Sequence, residues 1–216
     1  MPVSLYKAIF KQYDDPACRS LLYTPCEQVT DINSSETKKM LNDLSIRLPA
    51  GIGLAANQVG YHKQAFMIRF DSAGNKRYPQ VFQDVPQQTF INPKITQASS
   101  ENVSFWHGCL SAITHSKGKV ATWSWIEYDA QDSLGKRQTG RLEGLAAVIF
   151  QHEFRHLLGS CFLDHAKEFM DQEVLHKKFE DNVFPPMALC GPEVPHLLSD
   201  YQVGESIEEY ARRLGL

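Results

Sequence analysis

Residues 151–159 read Gln-His-Glu-Phe-Arg-His-Leu-Leu-Gly and end an apolar segment that begins near Leu142. Because an α-helix repeats every 3.6 residues, His152 and His156 fall on one stripe of such a helix. The other faces are apolar too, which is typical of a helix inside a domain. Two histidines at this spacing can bind one metal ion, and Glu153 between them can act on a water molecule held by that ion. Gly159 predicts the end of the helix.

The motif alone also fits two core histidines that hydrogen-bond to their neighbours, and it does not contain a third metal ligand. Cys109 is the best candidate, because the adjacent Gly108 would let its sulfur approach a partner closely. The other cysteines and histidines compete with it, and composition does not choose among them. The competitors are Cys18, Cys26, Cys161, Cys190, His62, His107, His115, His165, His176 and His196.

Length and composition indicate a globular protein. The 216 residues are 43% hydrophobic and 22% charged, and the formal net charge is -3. That charge gives no reason to expect nucleic acid or an acidic membrane surface as a partner. The five widely spaced cysteines do not suggest a disulfide framework and fit a reducing, cytoplasmic compartment. Asp14 and Asp15 argue against a signal peptide, and no apolar run is long enough for a membrane span.

The segments around the central helix predict an α+β domain. We expect antiparallel or mixed β-sheets packed around the buried helix that carries the two histidines, and a C-terminal helix. Predicted helices cover residues 30–48, 166–181 and 205–214, with a shorter one near 16–21. Predicted strands cover residues 65–70, 89–92, 119–129 and 136–142, and Pro93 is expected to end the second of them.

A second segment of interest reads Gly51-Ile52-Gly53-Leu54-Ala55-Ala56-Asn57-Gln58. Its two glycines would allow close approach by another chain or a ligand. A tight turn between a helix and a sheet explains them equally well. The segment lacks the third glycine of a dinucleotide site.

Three segments together resemble peptide deformylase: residues 51–58, Gly108-Cys109-Leu110-Ser111, and the stretch from Gln151 to Gly159. Their order and separations fit that family, and Ile91-Asn92-Pro93-Lys94 is similar to its strand before the cysteine segment. The resemblance covers residues 1–168. It implies a catalytic domain there and a C-terminal helical extension over residues 169–216.

The resemblance implies a bacterial, cytoplasmic hydrolase with one divalent metal ion held by Cys109, His152 and His156. Fe²⁺ is the expected physiological ion, and Zn²⁺ or Ni²⁺ can substitute. One thiolate and two imidazoles leave a fourth position for water. The expected substrate is the N-formyl-methionyl end of a newly made protein, and the products are formate and a free amino terminus.

The resemblance also assigns roles around the metal. Glu153 would transfer the proton of the water to the leaving amine. The side-chain amide of Gln58 and the backbone N–H of Leu110 would stabilise the negative oxygen. Gly53 would let the substrate backbone add as a strand. By their positions, the predicted residues of the methionine site are Gly51, Ile52, Phe105, Leu145, Val148 and Ile149.

The sequence departs from the family pattern near the metal. The family usually has Glu where this chain has His107 and Asp where it has Arg155, and an arginine is expected where residues 119–122 read Lys-Val-Ala-Thr. Two explanations of Arg155 stay open: a bridge to an unidentified acid, or exposure to solvent. His107 is interpreted as a neutral hydrogen-bonding replacement. The alternative is added positive charge that weakens metal binding.

Three functions are compared. A metal-dependent deformylase is favoured, since its metal ligands, Glu153, Gln58 and Gly53 are all present. A detuned relative that binds a peptide or a partner is the main alternative. A zinc endopeptidase is disfavoured by the Cys109 ligand. Residues after Pro186 carry no motif, so they could cover the core, mediate self-association or contact the ribosome.

Overall fold

We describe a computed structural model that covers residues 3–73, 78 and 81–216. The predicted turn over residues 71–75 lies partly outside the described residues. Six α-helices are described: α1 Val3–Ile9, α2 Arg19–Leu22, α3 Ser35–Arg47, α4 Gly144–Leu157, α5 Gln172–Glu180 and α6 Ile207–Leu214. Short 3-10 helices cover Pro16–Cys18, Leu48–Ala50, Ala56–Val59, Leu110–Ala112 and Phe162–Asp164.

Nine strands are described, in two sheets. They are β1 Gly53–Ala55, β2 Ala65–Phe70, β3 Val85–Ala98, β4 Asn102–His107, β5 Lys117–Trp123, β6 Trp125–Gln131, β7 Arg137–Glu143, β8 Glu168–Met170 and β9 Met187–Cys190. The first sheet has the order β1-β2-β3-β6-β7, and the second has the order β8-β5-β4-β9. Within the described chain, neighbouring strands of both sheets pair antiparallel. The α+β fold class is therefore confirmed.

The helix α4 lies in the core. Glu143 is its N-cap, and every residue from Leu145 to Leu157 is buried. The side chain of Gln151 joins α4 to the second sheet, because it accepts from the Trp123 N–H and donates to the Trp123 carbonyl, both at 2.9 Å. Gly159 follows the helix at φ +79°, and a Cβ there would lie 2.7 Å from a backbone carbon of Thr24. The predicted helix end at this glycine is confirmed.

The predicted helix over residues 30–48 is α3, and it starts five residues later than expected, at Ser35. Ser34 is the N-cap, and its hydroxyl accepts a hydrogen bond from the Thr37 N–H at 3.1 Å. An N-cap serine satisfies an amide that has no partner within the helix. Met40 and Leu44 bury one face of α3 against β1 and β2.

The prediction that Pro93 ends a strand is wrong, because β3 continues to Ala98. The pairing of β3 with β6 shifts register between Ile91 and Lys94. Asn92 adopts φ +49°, and its side-chain amide bonds to the backbone of Val29. Pro93 therefore sits at an irregularity in the ladder, where its missing N–H costs no pairing.

The single strand predicted over residues 119–129 is also wrong. It is two strands, β5 and β6, which belong to different sheets. The chain changes sheet at Ser124, whose N–H donates to the Glu101 carbonyl at 3.1 Å and to the Ser99 hydroxyl at 2.9 Å. The alternating pattern continues across this residue, so the break has no signal in the sequence.

The segment after residue 168 is less helical than predicted. The helix expected over residues 166–181 begins only at Gln172, after the strand β8, and a further strand is β9. Leu198, Tyr201 and Tyr210 join the same hydrophobic core as α4. The residues before and after 168 therefore share one hydrophobic core. The assignment of catalysis to residues 1–168 stays a prediction. No helix in the described part of the chain is long and apolar enough to span a bilayer.

Candidate metal centre

Cys109, His152 and His156 meet at the end of β4 and the second half of α4. One ligand atom from each side chain lies within 4.8 Å of the other two, and Cys109 Sγ is 3.2 Å from His156 Nε2. Both histidines are buried and the cysteine is half-buried. A thiol and two imidazoles that converge in this way fit a divalent metal ion.

Tyr13 determines which nitrogen of His156 faces the cluster. Its hydroxyl donates to the Ser160 carbonyl at 2.9 Å and lies 2.8 Å from His156 Nδ1. A carbonyl oxygen can only accept, so the single hydroxyl proton is used there. His156 Nδ1 therefore carries a proton and donates it to the tyrosine oxygen. The lone pair of Nε2 is left to point at the cluster, as a metal ligand requires.

His107 plays a corresponding part at His152. The Nδ1 atoms of the two rings are 2.9 Å apart, and the rings stack with their centroids at 5.2 Å. Burial lowers the pKa of His107 well below its usual value, and the neighbouring His152 acts in the same direction. This supports the interpretation of His107 as a neutral hydrogen-bonding partner. With Nδ1 occupied by His107, His152 can offer Nε2 to a metal.

The thiol of Cys109 accepts two hydrogen bonds. The Ser111 N–H donates to Sγ at 3.3 Å and the Gln58 side-chain amide donates at 3.1 Å. Burial raises the pKa of Cys109 to about 12, and the carboxyl group of Glu153 adds to that rise. Burial also lowers the pKa of His152 to about 4. Without a metal, the three candidate ligands are therefore neutral at pH 7.

Glu153 lies at the bottom of the site and is 3% exposed. Its Oε2 has no hydrogen-bond partner among the described residues. Burial raises the pKa of this carboxyl well above its usual value. A buried carboxyl group without a partner is costly in a fold, so its presence beside three metal-type ligands is typical of a functional site.

The structure explains why residue 53 is a glycine, which the sequence did not reveal. A Cβ at this position would lie 2.2 Å from Oε1 of Glu153. The glycine thus makes room for the carboxyl group. Gly53 also begins β1, the outermost strand of the first sheet. Among the described residues no strand pairs with the other edge of β1, so this edge is available for an added strand.

Gln58 and Leu110, the two predicted oxyanion donors, both border the site. The Oε1 of Gln58 accepts from the Ala55 N–H at 2.8 Å, and its Nε2 also donates to the Ser111 hydroxyl at 3.1 Å. This fixes the amide with its nitrogen toward Cys109. Leu110 follows the cysteine directly and opens a 3-10 helix. Its carbonyl accepts from the Gln12 side chain at 3.0 Å.

A cavity of about 250 Å³ opens onto the cluster. Five of the six predicted residues of the methionine site line it: Gly51, Ile52, Phe105, Val148 and Ile149. Leu145 does not, because it lies in the core at 1% exposure. Six lining residues outside the predicted motifs were not expected from the sequence, namely Tyr6, Ala50, Tyr78, Ile113, Lys117 and Gln172.

Arg155, the residue that departs from the motif, is paired with the C-terminal tail. Its guanidinium donates to Asp200 through both terminal nitrogens, with Nη2 to Oδ2 at 3.1 Å. Of the two explanations left open by the sequence, the bridge to an acid is correct and exposure to solvent is wrong, since the arginine side chain is 5% exposed.

Three residues that support the site were missed from the sequence. Tyr13 and Asp200 lie 143 and 45 residues from their partners His156 and Arg155, in segments without a motif. Asn57 lies inside the quoted glycine segment, and its amide donates to the His156 carbonyl at 2.8 Å. A polar residue between Ala56 and Gln58 was the only signal that could have indicated such a role.

Two imidazoles, a thiol and a buried carboxyl group beside an open cavity define the centre of a metal-dependent hydrolase. Comparison with known proteins specifies the family. The family model described as polypeptide deformylase matches residues 8–172. The chain belongs to this family.

Curated relatives agree with that match. A peptide deformylase of Psychrobacter cryohalolentis is 36% identical over 155 residues, which are 71% of this chain and 76% of that protein. One from Leptospira biflexa is 33% identical over 140 residues, 64% of this chain and 76% of the relative.

Solved structures show the same fold. A peptide deformylase of Synechococcus elongatus in complex with actinonin has a TM-score of 0.62 and 26% identity, and the match covers 82% of this chain and 89% of that one. A peptide deformylase from Thermotoga maritima has a TM-score of 0.60 and 27% identity, and the match covers 74% of this chain and 97% of that one. The endopeptidase alternative is not supported by any of these relatives.

Proposed function

We propose that this protein removes the N-formyl group from the N-formyl-methionyl end of newly made proteins and releases formate. The observation that carries the proposal is the group of Cys109, His152 and His156 beside a cavity that Glu153 also lines, with Oε2 of this glutamate lacking a hydrogen-bond partner among the described residues. An amide hydrolase needs an activated water, a proton carrier and a place for the acyl group, and this site offers groups for each.

The proposed metal ligands are Cys109 Sγ and the Nε2 atoms of His152 and His156. A divalent ion bound there would supply Lewis acidity, which acidifies water and polarises a carbonyl. We propose Fe²⁺ as the physiological ion, with Zn²⁺ or Ni²⁺ as substitutes. Mixed thiolate and imidazole ligands suit these borderline ions better than Mg²⁺ or Ca²⁺, which prefer oxygen.

Glu153 is proposed to carry the proton. It would accept a proton from the attacking water at its carboxylate and deliver the proton to the nitrogen of the leaving amine. Two observations support this role. The Oε2 atom is not used by a hydrogen bond from the described residues, and the side chain is buried, which keeps competing water away.

Gln58 and Leu110 are proposed to stabilise the negative charge on the formyl oxygen. The amide nitrogen of Gln58 is held toward the cluster by the Ala55 N–H on its oxygen. Its hydrogen bond to Cys109 Sγ would be exchanged for one to the substrate oxygen. Leu110 lines the same cavity, and its backbone N–H is the second proposed donor. Fixed donors of this kind stabilise a transition state because they need no reorganisation.

The open edge of β1 is proposed to bind the substrate backbone as an added strand. That register would direct the first side chain into the cavity between Ile52, Phe105, Val148 and Ile149. These apolar walls suit methionine, whose flexible thioether fills irregular space. We also propose a cytoplasmic location and contact with the ribosome, because the substrate is a newly made chain.

The test is release of formate from formyl-Met-Ala-Ser by anaerobically prepared protein loaded with Fe²⁺, with metal content measured on the same sample. We expect turnover in the parent protein. Glu153→Ala should abolish it while the metal stays bound. Metal-loaded parent protein without turnover would instead favour the detuned relative. No observation in the site favours that alternative now, since His107 and Arg155 both have partners.

A further inference from the structure

Arg155 places a positive charge inside the motif that holds the candidate metal ligands. It precedes His156 directly, and its side chain is buried at 5% exposure. Because like charges repel, a buried guanidinium next to His156 opposes the binding of a positive metal ion at this ligand unless a negative group balances it.

Asp200 balances that charge from the C-terminal tail. Both of its carboxylate oxygens accept from the Arg155 guanidinium, in the two-pronged geometry that is strongest for this pair. The tail residue lies beyond the 8–172 segment that matches the family model. The acid is thus contributed by a part of the chain that the family pattern does not describe.

The carboxylate of Asp200 is itself held in place. The Tyr210 hydroxyl donates to Oδ2 at 2.8 Å, and Arg213 donates to the Asp200 carbonyl at 2.8 Å. Arg213 is fixed in turn by Glu205, with Nε to Oε2 at 3.0 Å. The ring of Tyr201 packs edge-on against Phe154 of α4, with centroids 5.0 Å apart. These contacts leave Asp200 little freedom to move away from the helix.

We propose that Asp200 is a positioning residue of the metal centre: its carboxylate neutralises the buried charge of Arg155 beside His156, so the tail sets the affinity for the metal. The inference rests on the proposed metal centre. Groups that hydrogen-bond directly to metal ligands typically change metal affinity by about 10–100-fold when they are removed. Asp200 acts through Arg155, so we expect an effect at the lower end of that range.

The decisive experiment compares three variants by metal affinity, measured by competition with a chelator, and by the absorption spectrum of the Co²⁺-loaded protein. Asp200→Asn removes the charge and keeps the shape. We expect its affinity to fall about tenfold or more, with a changed Co²⁺ spectrum. Tyr210→Phe removes one hydrogen bond to Asp200 and keeps the charge. It should change affinity by less than about threefold.

The third variant separates charge from anchoring. The double substitution Arg155→Met with Asp200→Leu removes both charges and the whole polar anchor. Replacement of a buried ion pair by apolar residues is often tolerated. If balance of charge is what matters, the double variant should bind metal within about threefold of the parent. If the pair only anchors the tail, it should bind more weakly than Asp200→Asn, which would overturn the proposal.

Two outcomes distinguish this inference from the proposed function. A parent protein that binds no metal would refute the metal centre and this inference together. A parent that binds metal and releases formate, beside an Asp200→Asn variant with the same affinity and the same Co²⁺ spectrum, would refute only the role of Asp200. Thermal unfolding of the metal-free proteins controls for loss of folded protein.

Discussion

Gly53→Ala should damage catalysis while leaving the fold intact. A Cβ at residue 53 would lie 2.2 Å from Oε1 of Glu153, whereas ordinary contacts begin near 3.4 Å. The carboxyl oxygen must therefore move by about 1.2 Å, the difference between these two values. Cδ and Cγ of Glu153 would also lie too close, at 2.7 and 2.8 Å, so the side chain must shift from Cγ outward. Folding should survive because the three nearest atoms all belong to this one side chain and none to the backbone.

The expected loss follows from that displacement. Misplacing a catalytic group by about 1 Å can cost about 100-fold in rate, which corresponds to about 2.7 kcal/mol of transition-state stabilisation. We therefore expect kcat for formyl-Met-Ala-Ser to fall about 100-fold, with metal content and the melting temperature close to the parent. Gly51→Ala is the matched control. Its Cβ would meet the flexible end of Leu110 at 3.2 Å and the Gly53 carbonyl oxygen at 3.3 Å, shortfalls of about 0.2 and 0.1 Å, so the loss of kcat should be below about threefold.

A double-mutant cycle tests whether Gly53 acts through Glu153. If it does, the double variant Gly53→Ala with Glu153→Ala should be no less active than Glu153→Ala alone, because the group to be displaced is already absent. A Gly53→Ala enzyme with parental kcat would refute the reasoning. So would equal losses in the Gly51 and Gly53 variants, since the two clashes differ by 1 Å in severity.

Three further predictions concern the metal and the core. Cys109→Ser should lower metal content at a fixed low concentration of Fe²⁺ or Zn²⁺, because a neutral hydroxyl replaces a thiolate ligand; unchanged content by elemental analysis would contradict the ligand assignment. Metal binding should release at least one proton near pH 7, and affinity should rise at least about tenfold per pH unit from 6 to 8. The sign follows because burial raises the pKa of Cys109 to about 12, so the thiol must lose a proton to bind, whereas burial lowers the pKa of His152 to about 4, so this ring binds without losing one. Burial also raises the pKa of Glu153, so a metal ion beside this carboxyl group can release a second proton. Calorimetry in buffers of different ionisation enthalpy would detect that proton, and pH-independent affinity would count against it. Phe150→Ala should lower the free energy of unfolding by about 3–5 kcal/mol, because its fully buried ring packs on Phe66 and Phe90 with centroids 5.0 and 4.9 Å away. Chemical denaturation of the metal-free protein measures this, and a loss below about 1 kcal/mol would show that the core relaxes around the gap.

Much of the fold followed from local patterns. The buried helix α4, its end at Gly159, the helix α3 and the strand β2 are all set by neighbours in sequence. The errors lie where tertiary contacts override such patterns. β3 continues past Pro93 because Asn92 reaches across to Val29. The change of sheet at Ser124 depends on Ser99 and Glu101. Neither partner is local, so neither deviation was predictable from a window of sequence.

The sequence by itself determined the parts of the candidate site that lie in short motifs. Those are the two histidines and Glu153 on one helix, Cys109 after its glycine, and the segment 51–58. A helix repeat brings the two histidines and Glu153 together whatever the rest of the chain does. Cys109 and the segment 51–58 were assigned to the same site by their resemblance to peptide deformylase.

Only the tertiary structure decided how these groups are held. It brings Tyr13 to His156, which leaves Nε2 of that ring for a metal, and it pairs Arg155 with Asp200. It also places Leu145 in the core and not in the cavity wall. The side chain of Glu153 lies so close to residue 53 that only a glycine fits there. Hydrogen bonds and charge pairs between distant segments depend on how the whole chain packs, so no motif encodes them.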